Sequence, residues 1–338
     1  MLFRSALVCN AGNPVLSTPN SGQLETALKT LDFMVSIDFY INETSRHADI
    51  ILPPVSALER SHYDLAFHAL AVRNGAKLTQ PVFAPGSQQR TDLQIFTELA
   101  WRMQSGTLVK RATGWLKKTL LQWFGSDRVL DSRLKKGPYF KTHQLTVKKL
   151  RQNPHGIDLG PLQPCLPDRL FTSDKTIHLA PVELLNQVDM LRIDSSAGLQ
   201  TAEPDFLLIG RRDPRTNNSW LHNSHRMVKG KPRCVALVHP NDASAKGLSE
   251  GDLAQVTSRV GSVTIAVKIS DEMMPGVMSI PHGWGHDAEG IELGIASQHA
   301  GVNTNLLTDE QFLDGLSGNA ALNGVPVTLS RYHGQNAD

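Results

Sequence analysis

Cysteine is scarce in this sequence, and the three cysteines lie far from one another. Cys9, Cys165 and Cys234 form no C-x-x-C pair and no spacing typical of a zinc site. Because their number is odd and their separation is large, they predict no disulfide framework, which favours a reducing compartment.

The sequence also lacks a surplus of either charge. It contains 34 lysines and arginines against 32 aspartates and glutamates, so the formal net charge is only +2. Binding to nucleic acid or to an anionic membrane surface is usually accompanied by a clear basic excess. We therefore expect no nucleic-acid partner.

Targeting and membrane-spanning signals are absent as well. No apolar run approaches the roughly 18 residues that a helix needs to cross a bilayer. The start of the chain shows no basic segment followed by a long apolar run and a cleavage site. We expect no membrane insertion and a cytoplasmic location. Because the chain begins directly in its first predicted strand, we interpret it as a fragment.

The common nucleotide and metal motifs are also missing. Neither G-x-G-x-x-G nor a P-loop occurs, so a nicotinamide-dependent dehydrogenase or an ATP-binding protein has no motif behind it. His282 and His286 are four residues apart, but the two glycines between them make a helix unlikely to form there. Their spacing therefore predicts no zinc pair.

The first part of the chain alternates strand and helix signals. Short apolar runs at residues 6–9, 33–37 and 49–53 predict strands, and amphipathic spacing at 21–31 and 92–103 predicts helices. Strands that alternate with helices indicate a parallel sheet with ligands at the carboxyl ends of the strands. We predict a Rossmann-like α/β domain over residues 1–125.

The signals change twice along the rest of the chain. Between residues 126 and 202, lysine and arginine are frequent and periodicity is weak, which predicts a connector that packs on a neighbouring part of the protein. From residue 203 to 338, short strands with glycine and proline turns indicate a closed β-barrel of six or seven strands. The fold class is therefore α/β followed by a β-barrel.

Several sequence phrases occur in an order that resembles the molybdopterin oxidoreductases, the family of formate dehydrogenases, nitrate reductases and dimethyl sulfoxide reductase. Gly-Asn-Pro at 12–14, Val-Ser-Ile-Asp at 35–38 and Asn-Glu-Thr-Ser-Arg-His-Ala-Asp at 42–49 are similar to the family's third domain. The resemblance identifies residues 1–125 as part of that domain.

Phrases in the second half are similar to the family's fourth domain, a dinucleotide-binding double-psi barrel. They are His-Pro-Asn-Asp-Ala at 239–243, Pro-His-Gly-Trp-Gly-His at 281–286, Gly-Val-Asn at 301–303 and Gly-Asn-Ala-Ala-Leu-Asn at 318–323. The resemblance identifies residues 203–338 as this barrel, with residues 126–202 as the connector.

The resemblance implies a cofactor and a role. The cofactor is molybdopterin guanine dinucleotide, in its bis form with molybdenum or tungsten, and the chain is the portion of the oxidoreductase that binds it. The metal ligand and the iron–sulfur cluster belong to an N-terminal part that is absent from this sequence. We therefore expect the chain alone to be inactive.

Two kinds of partner follow from this interpretation. The missing half, or a separate chain that supplies it, would complete the enzyme, and an electron-transfer subunit could accompany it. The alternative is a non-enzymatic cofactor-binding subunit that completes its site with another chain.

Two aspartates are candidates for reading the nucleotide. Guanine presents two adjacent donors, which suit a carboxylate that accepts both. Asp38 ends a predicted strand, where doubly wound folds place an acid for ribose or base, and Ile37 beside it is a further candidate for a cofactor contact. Asp92 opens a predicted helix and could be its N-cap. The resemblance implies that Asp92 binds guanine, and both roles can coexist.

Other candidates in the first domain are Gly12, Asn13 and Arg60. Gly12 and Asn13 would bring the backbone close to the dinucleotide, although a simple turn fits them equally well. Arg60 follows the third strand, where the resemblance implies a nucleotide contact; taken alone it suggests an exposed surface charge.

A loop in the predicted barrel mixes arginines with hydroxyl and amide groups. Arginines offer forked donors to phosphate, although composition alone fits an exposed polar loop as well. The resemblance implies that this loop surrounds the pterin and phosphates, through Gly210, Arg211, Arg212, Arg215, Thr216, Asn217, Asn218 and Ser219. It implies further cofactor contacts for His282, Asn303 and Asn323.

Overall fold

The computed structural model describes residues 5–104, 106–188 and 205–334. The chain forms two compact units, one built from residues 1–51 together with 178–338 and the other from residues 52–177. The first unit thus joins the two ends of the chain. This division is based on spatial proximity and differs from the boundaries predicted at residues 125 and 202. Those boundaries separate family domains, and they remain predictions.

A three-stranded parallel sheet begins the first unit. Its strands are β1 (Ala6–Asn10), β2 (Phe33–Ile37) and β3 (Ile50–Ile51), in the order β1-β2-β3. The helices Pro14–Ser17 and Ser21–Leu28 connect β1 to β2, and a 3-10 turn at Ser45–His47 precedes β3. Val15, Leu28 and Met34 form the buried core beneath them. The predicted parallel-sheet region is confirmed.

A closed six-stranded barrel makes up most of the first unit. Its strands are β8 (Phe206–Arg211), β9 (Ala236–Val238), β10 (Leu253–Thr257), β11 (Ser262–Ile269), β12 (Val277–Pro281) and β13 (Val325–Arg331). They close in the order β10-β11-β9-β12-β8-β13. Alternating inward side chains such as Ala254, Val256, Ile265 and Val267 fill the interior. The predicted barrel is confirmed at the level of a closed six-stranded barrel.

Short helical segments connect the strands of the barrel. They are Trp220–Asn223, His225–Val228, Pro240–Ala245, Ala296–His299 and Thr304–Leu306. A further helical stretch covers residues 182–188.

Two buried asparagines attach the barrel to the helices that follow β1. The Asn303 amide nitrogen donates to the Val15 carbonyl at 3.0 Å and to the Ser21 hydroxyl at 2.9 Å. The Asn305 amide nitrogen donates to the Leu16 carbonyl at 2.7 Å. These bonds hold the loop after β1 beside the barrel and so position the cavity described below.

The second unit is mainly helical. Its helices are Asp92–Met103, Leu108–Lys136 with a break at Gly125, Tyr139–His143 and Val147–Gln152, with a 3-10 turn at Phe67–Leu70. Short antiparallel pairs join β4 (His62–Tyr63) to β6 (Leu78–Thr79) and β5 (Arg73–Ala76) to β7 (Ile157–Pro161).

Helices continue after residue 126, within the segment predicted as a connector, where no helix was predicted. Lysine, arginine and leucine are good helix formers, so a basic composition does not oppose a helix. The Thr107 side chain caps the helix Leu108–Lys136 by accepting from the Lys110 amide, and Leu130 and Leu134 pack against the buried core of this unit. Within the described ranges, every helix is too short or too polar to cross a lipid bilayer.

Candidate functional site

A cavity of about 410 Å³ lies in the first unit, where loops leave the carboxyl ends of β1, β8 and β12. β8 and β12 are parallel neighbours, so their following loops leave the barrel at the same edge. The wall is built from segments that are distant in sequence: Ala11, Gly12, Asn13, Leu16, Ser17, Gly210, Arg212, Asn218, Ser219, Trp220, His282, Gly283, Thr304, Asn305, Thr308, Leu322 and Asn323.

Arg212 supplies positive charge to this wall. Its Nη2 atom donates to the Asn218 side-chain oxygen at 2.6 Å, and within the described part of the chain no carboxylate pairs with it. Burial and the neighbouring Arg212 charge lower the pKa of His282, so this imidazole is neutral near neutral pH. No lining residue is acidic. The cavity therefore suits an anionic ligand.

One polar atom in the wall has no partner. Thr304 is 5% exposed, and its hydroxyl oxygen forms no hydrogen bond with any described residue. A buried hydroxyl without a partner costs roughly 1–3 kcal/mol. Because this oxygen is itself buried, a ligand in the cavity does not reach it unless the Thr304 side chain moves.

Two loops meet closely at the mouth of the cavity. Asn217 and Asn218 adopt left-handed conformations, with φ of 41° and 61°. Gly283 faces them with φ of 92°, and a Cβ atom there would lie 1.9 Å from the Asn218 carbonyl oxygen. Only glycine at position 283 permits this approach.

A smaller cavity of about 50 Å³ shares Asn13, Ser219 and Trp220 with the larger one. Asp38 lines it and is 8% exposed. Its carboxylate accepts from the Phe39 amide at 2.7 Å and from the Asn42 side chain at 3.0 Å. Burial raises the pKa of Asp38 despite these bonds.

Eight residues predicted from the sequence line the larger cavity: Gly12, Asn13, Gly210, Arg212, Asn218, Ser219, His282 and Asn323. The Gly210 amide donates to the Asn323 side-chain oxygen at 2.8 Å, which joins two of them. The structure therefore brings together candidates from the α/β segment and from the barrel.

Several other candidates do not line either cavity. The Arg211 guanidinium turns to the barrel and donates to the carbonyls of Val235 and Ser279, at 3.0 and 3.2 Å. Thr216 is buried and donates to the Asp213 carbonyl, and Asn303 is used by the attachment described above. Ile37 is fully buried at the end of β2, and Arg215 and Asn217 are exposed in the loop.

Arg60 and Asp92 lie in the second unit, where they form a salt bridge with each other. Asp92 is not the N-cap of its helix. Thr91 is the cap, because its hydroxyl accepts from the Gln94 amide while the Gln94 side chain accepts from the Thr91 amide. Asp92 is the first helical residue, where its charge complements the helix dipole.

Sequence reasoning missed nine residues of the wall: Ala11, Leu16, Ser17, Trp220, Gly283, Thr304, Asn305, Thr308 and Leu322. Ala11, Trp220 and Gly283 adjoin residues that were identified, so their neighbours were the available signal. Thr304 and Leu322 likewise adjoin Asn303 and Asn323. Asn305 and Thr308 had no such signal, because the asparagine bonds to residues almost 290 positions away bring their segment to the cavity.

A second missed feature is a buried row of Glu43, His286 and His222, each 1% exposed. His286 Nδ1 is 2.7 Å from Glu43 Oε1, and His286 Nε2 is 2.8 Å from His222 Nδ1. The His222 ring stacks on Trp284 with centroids 3.9 Å apart. His286 thus binds a carboxylate and a second imidazole.

Comparison with known protein families gives two matches. Residues 5–102 match the model described as molybdopterin oxidoreductase, and residues 206–326 match the model described as molydopterin dinucleotide binding domain. The second match covers the first five strands of the barrel with their loops and ends at the start of β13.

Individual relatives agree with these matches. A dimethyl sulfoxide/trimethylamine N-oxide reductase of Rhodobacter capsulatus is 23% identical over 86% of this chain and 37% of its own length. The trimethylamine-N-oxide reductase 1 of Escherichia coli (strain K12) is 25% identical over 95% of this chain and 40% of its own length. The chain thus spans about two fifths of these relatives.

A solved structure supports the fold. Acetylene hydratase from Pelobacter acetylenicus aligns with a TM-score of 0.70 at 18% identity, over 97% of this chain and 44% of that chain. By the sequence matches, the chain carries a molybdopterin oxidoreductase domain and a molydopterin dinucleotide binding domain, and its homologues include dimethyl sulfoxide and trimethylamine N-oxide reductases.

Proposed function

We propose that the larger cavity binds the dinucleotide part of molybdopterin guanine dinucleotide and that the chain is the cofactor-holding portion of a molybdenum or tungsten oxidoreductase. The observation that supports this most directly is Arg212, a cation without a carboxylate partner among the described residues, in the wall of a cavity that has no acid. When bound, the cofactor supplies the metal and the redox chemistry, while the protein positions it.

The residues of the wall have distinct roles in this proposal. The Arg212 guanidinium binds a phosphate group with charge-assisted hydrogen bonds. Asn13, Asn218, Ser219 and Asn323 offer amide and hydroxyl groups around it. None of these groups is a nucleophile or a proton-transfer group for a substrate, so their task is to bind and orient.

Asp38 and Asp92 have separate roles. Asp38, in the smaller cavity, would accept from a ribose or base of the nucleotide. For Asp92 the contact with guanine rests on the resemblance alone, as does the nucleotide contact of Arg60. A double-psi topology for the barrel and a Rossmann-like sheet are part of the same proposal.

The relatives are much longer than this chain, and this difference suggests what a partner would supply. Because the chain spans about two fifths of them, we propose that a further polypeptide segment, or another chain, supplies the metal ligand, the iron–sulfur cluster and the second dinucleotide site. The chain by itself would then hold cofactor without turnover, as the C-terminal half of such an enzyme.

Two neighbouring arginines provide the test. Arg212→Gln removes the cation of the wall, whereas Arg215→Gln removes an exposed cation of the same loop that lies outside it. We expect Arg212→Gln to weaken the binding of guanosine diphosphate about 10- to 100-fold, since a hydrogen bond to a charged group contributes roughly 1.5–3 kcal/mol. Arg215→Gln should bind like the wild type.

Calorimetric titration of the purified chain with guanosine diphosphate, and with cytidine diphosphate for comparison, measures this effect. Equal losses in both variants would show that only the general charge of the loop matters. A wild-type chain that binds neither nucleotide would contradict the proposed function.

A further inference from the structure

The row of Glu43, His286 and His222 continues through Asn13 to the wall of both cavities. Asn13 Nδ2 donates to Glu43 Oε2 at 2.7 Å, and Asn13 also lines the larger and the smaller cavity. The row therefore joins two buried histidines of the barrel loops to a residue that a bound ligand would touch.

The direction of each hydrogen bond at Asn13 follows from its two side-chain partners, Thr44 and Glu43. The Val15 amide can only donate, and it donates to the Thr44 hydroxyl oxygen at 3.0 Å. The Thr44 hydroxyl then donates its own proton to Asn13 Oδ1 at 2.7 Å. The Glu43 carboxylate can only accept, so the Asn13 amide nitrogen faces it and the Asn13 oxygen faces the Thr44 hydroxyl.

The other oxygen of Glu43 accepts as well. Burial raises the pKa of Glu43, but the hydrogen bond and charge of His286 and the hydrogen bond of Asn13 outweigh it, and the pKa lies below its ordinary value. Because the carboxylate is ionised and carries no proton, His286 Nδ1 is the donor in the 2.7 Å contact with Oε1.

Among the residues that the structure describes, these bonds leave the Asn13 amide with one N–H group and one lone pair that have no partner. The amide cannot rotate by half a turn without placing its nitrogen against the Thr44 hydroxyl and its oxygen against the Glu43 carboxylate. Its orientation at the cavity wall is therefore fixed by Glu43, although Glu43 itself lines neither cavity.

We infer that Glu43 is a positioning residue which, held by His286 and His222, presents the free N–H group of Asn13 to an acceptor oxygen of the bound dinucleotide. This inference rests on the proposed function for the identity of the ligand. The row of hydrogen bonds itself does not depend on that function. An experiment can therefore contradict the proposed function without contradicting the positioning of Asn13 by Glu43, and the reverse.

A pair of isosteric substitutions tests the inference. In Asn13→Asp, a carboxylate would face the Glu43 carboxylate, and we expect the free energy of unfolding to fall. Adding Glu43→Gln should restore it, because the Gln amide nitrogen can donate to the new carboxylate at position 13 while its oxygen accepts from His286 Nδ1. The double variant thus restores the row with its donor and acceptor exchanged.

In the double variant, the binding of guanosine diphosphate should stay weak although the free energy of unfolding recovers. The double variant presents a carboxylate in place of the Asn13 N–H group, so guanosine diphosphate should bind at least about tenfold more weakly than to the wild type. Glu43→Gln alone keeps Asn13 and should weaken binding by less than about fivefold, since the Gln oxygen can still accept from Asn13. A double variant that binds like the wild type would show that the row is only structural.

Nitrogen NMR of the histidine rings gives a readout that needs no ligand. In the wild type, His286 should show a protonated Nδ1 atom. In Glu43→Gln alone, the Gln nitrogen faces His286 Nδ1, so the proton of a neutral His286 should move to Nε2. That Nε2–H group then donates to His222 Nδ1, so the proton of His222 should move to its own Nε2 atom. An unchanged His286 spectrum in Glu43→Gln would overturn the assigned directions of the hydrogen bonds.

Asp242→Asn serves as the matched control. Asp242 is a carboxylate of the same unit that accepts from the Gly276 amide at 2.8 Å and lines neither cavity. Its substitution should leave guanosine diphosphate binding and the His286 spectrum as in the wild type. Failure of the wild type to bind guanosine diphosphate would contradict the proposed function and the ligand role of Asn13, while the stability and NMR results would still decide the positioning of Asn13.

Discussion

His222 illustrates how burial acts on a single residue. Burial and the neighbouring His286 lower the pKa of His222 to about 4, although a backbone hydrogen bond to Gly283 and the charges of Asp213 and Glu43 act in the opposite direction. In the unfolded chain an unperturbed histidine titrates near 6.5. Between these two values the unfolded chain binds a proton that the folded chain does not bind.

The stability of the chain should therefore rise with pH between about 4 and 6.5. The difference of pKa corresponds to about 3 kcal/mol across this window. Glu43 adds to the trend at lower pH, since its folded pKa is lowered and its contribution is lost as pH falls through that value. Both groups therefore make the folded state more stable at neutral pH than at acid pH.

His222→Asn tests this prediction, because Asn keeps a polar atom near the Nδ1 position and removes the titration. Urea unfolding at pH 4.5, 5.5 and 7 should show a smaller gain of stability with pH in the variant than in the wild type. A variant with the same pH dependence as the wild type would mean that other groups cause it. The variant should also be less stable at pH 7, since the smaller side chain loses the stacking on Trp284.

At the scale of structural elements, the two loops at the mouth of the cavity pack closely against each other. The loop after β8 reaches the loop after β12 only because Gly283 has no side chain. Gly290 offers a matched control, because its φ of 84° resembles the 92° of Gly283 while no atom lies within 4 Å of its Cβ position. Comparing alanine substitutions at the two glycines separates the cost of backbone strain from the cost of a steric clash with Asn218.

We expect Gly290→Ala to cost about 1–2 kcal/mol, the usual cost of a left-handed conformation for a residue with a side chain. Gly283→Ala should cost more, because the Asn218 carbonyl must also move. It should weaken guanosine diphosphate binding at least about tenfold, while Gly290→Ala should bind normally. Chemical denaturation and calorimetric titration measure the two effects, and equal behaviour of the variants would rule out the collision.

At the scale of the whole molecule, the first unit depends on bonds between its two chain segments. Asn305 is 1% exposed, donates to the Leu16 carbonyl at 2.7 Å and accepts from the Thr308 hydroxyl at 2.8 Å. Asn305→Leu keeps the branched shape of the side chain but leaves that carbonyl buried without its partner, which costs roughly 1–3 kcal/mol. The larger methyl groups add to the loss.

Hydrogen exchange should locate this loss. In Asn305→Leu, we expect faster exchange of the amides in the helices Pro14–Ser17 and Ser21–Leu28, with little change in β10 and β11 inside the barrel. Faster exchange throughout the barrel would mean that the segments unfold together and that the asparagine bonds do not act locally. A small loss of guanosine diphosphate binding should accompany the local effect, since Leu16 and Asn305 both line the cavity.

Local patterns determined the elements of this protein. The predicted strand at 33–37 and helix at 92–103 have the same bounds as in the structure, because the apolar spacing and the capping residues act within a few positions. The short strands with glycine turns likewise predicted the barrel. The helices after residue 126 were not predicted, because helical apolar spacing is weak there although the residues favour helices.

Only the tertiary structure decided which side chains meet at the site. Arg211, Arg212 and Arg215 are equivalent in sequence, but Arg211 ends β8 and turns to the barrel carbonyls, whereas Arg212 enters the loop and reaches the cavity. Glu43 and His286 are 243 positions apart, and no local signal pairs them. Residue types set which chemistry is available, while the path of the loops after the strands sets which groups face the ligand, because that path depends on long-range packing and hydrogen bonds.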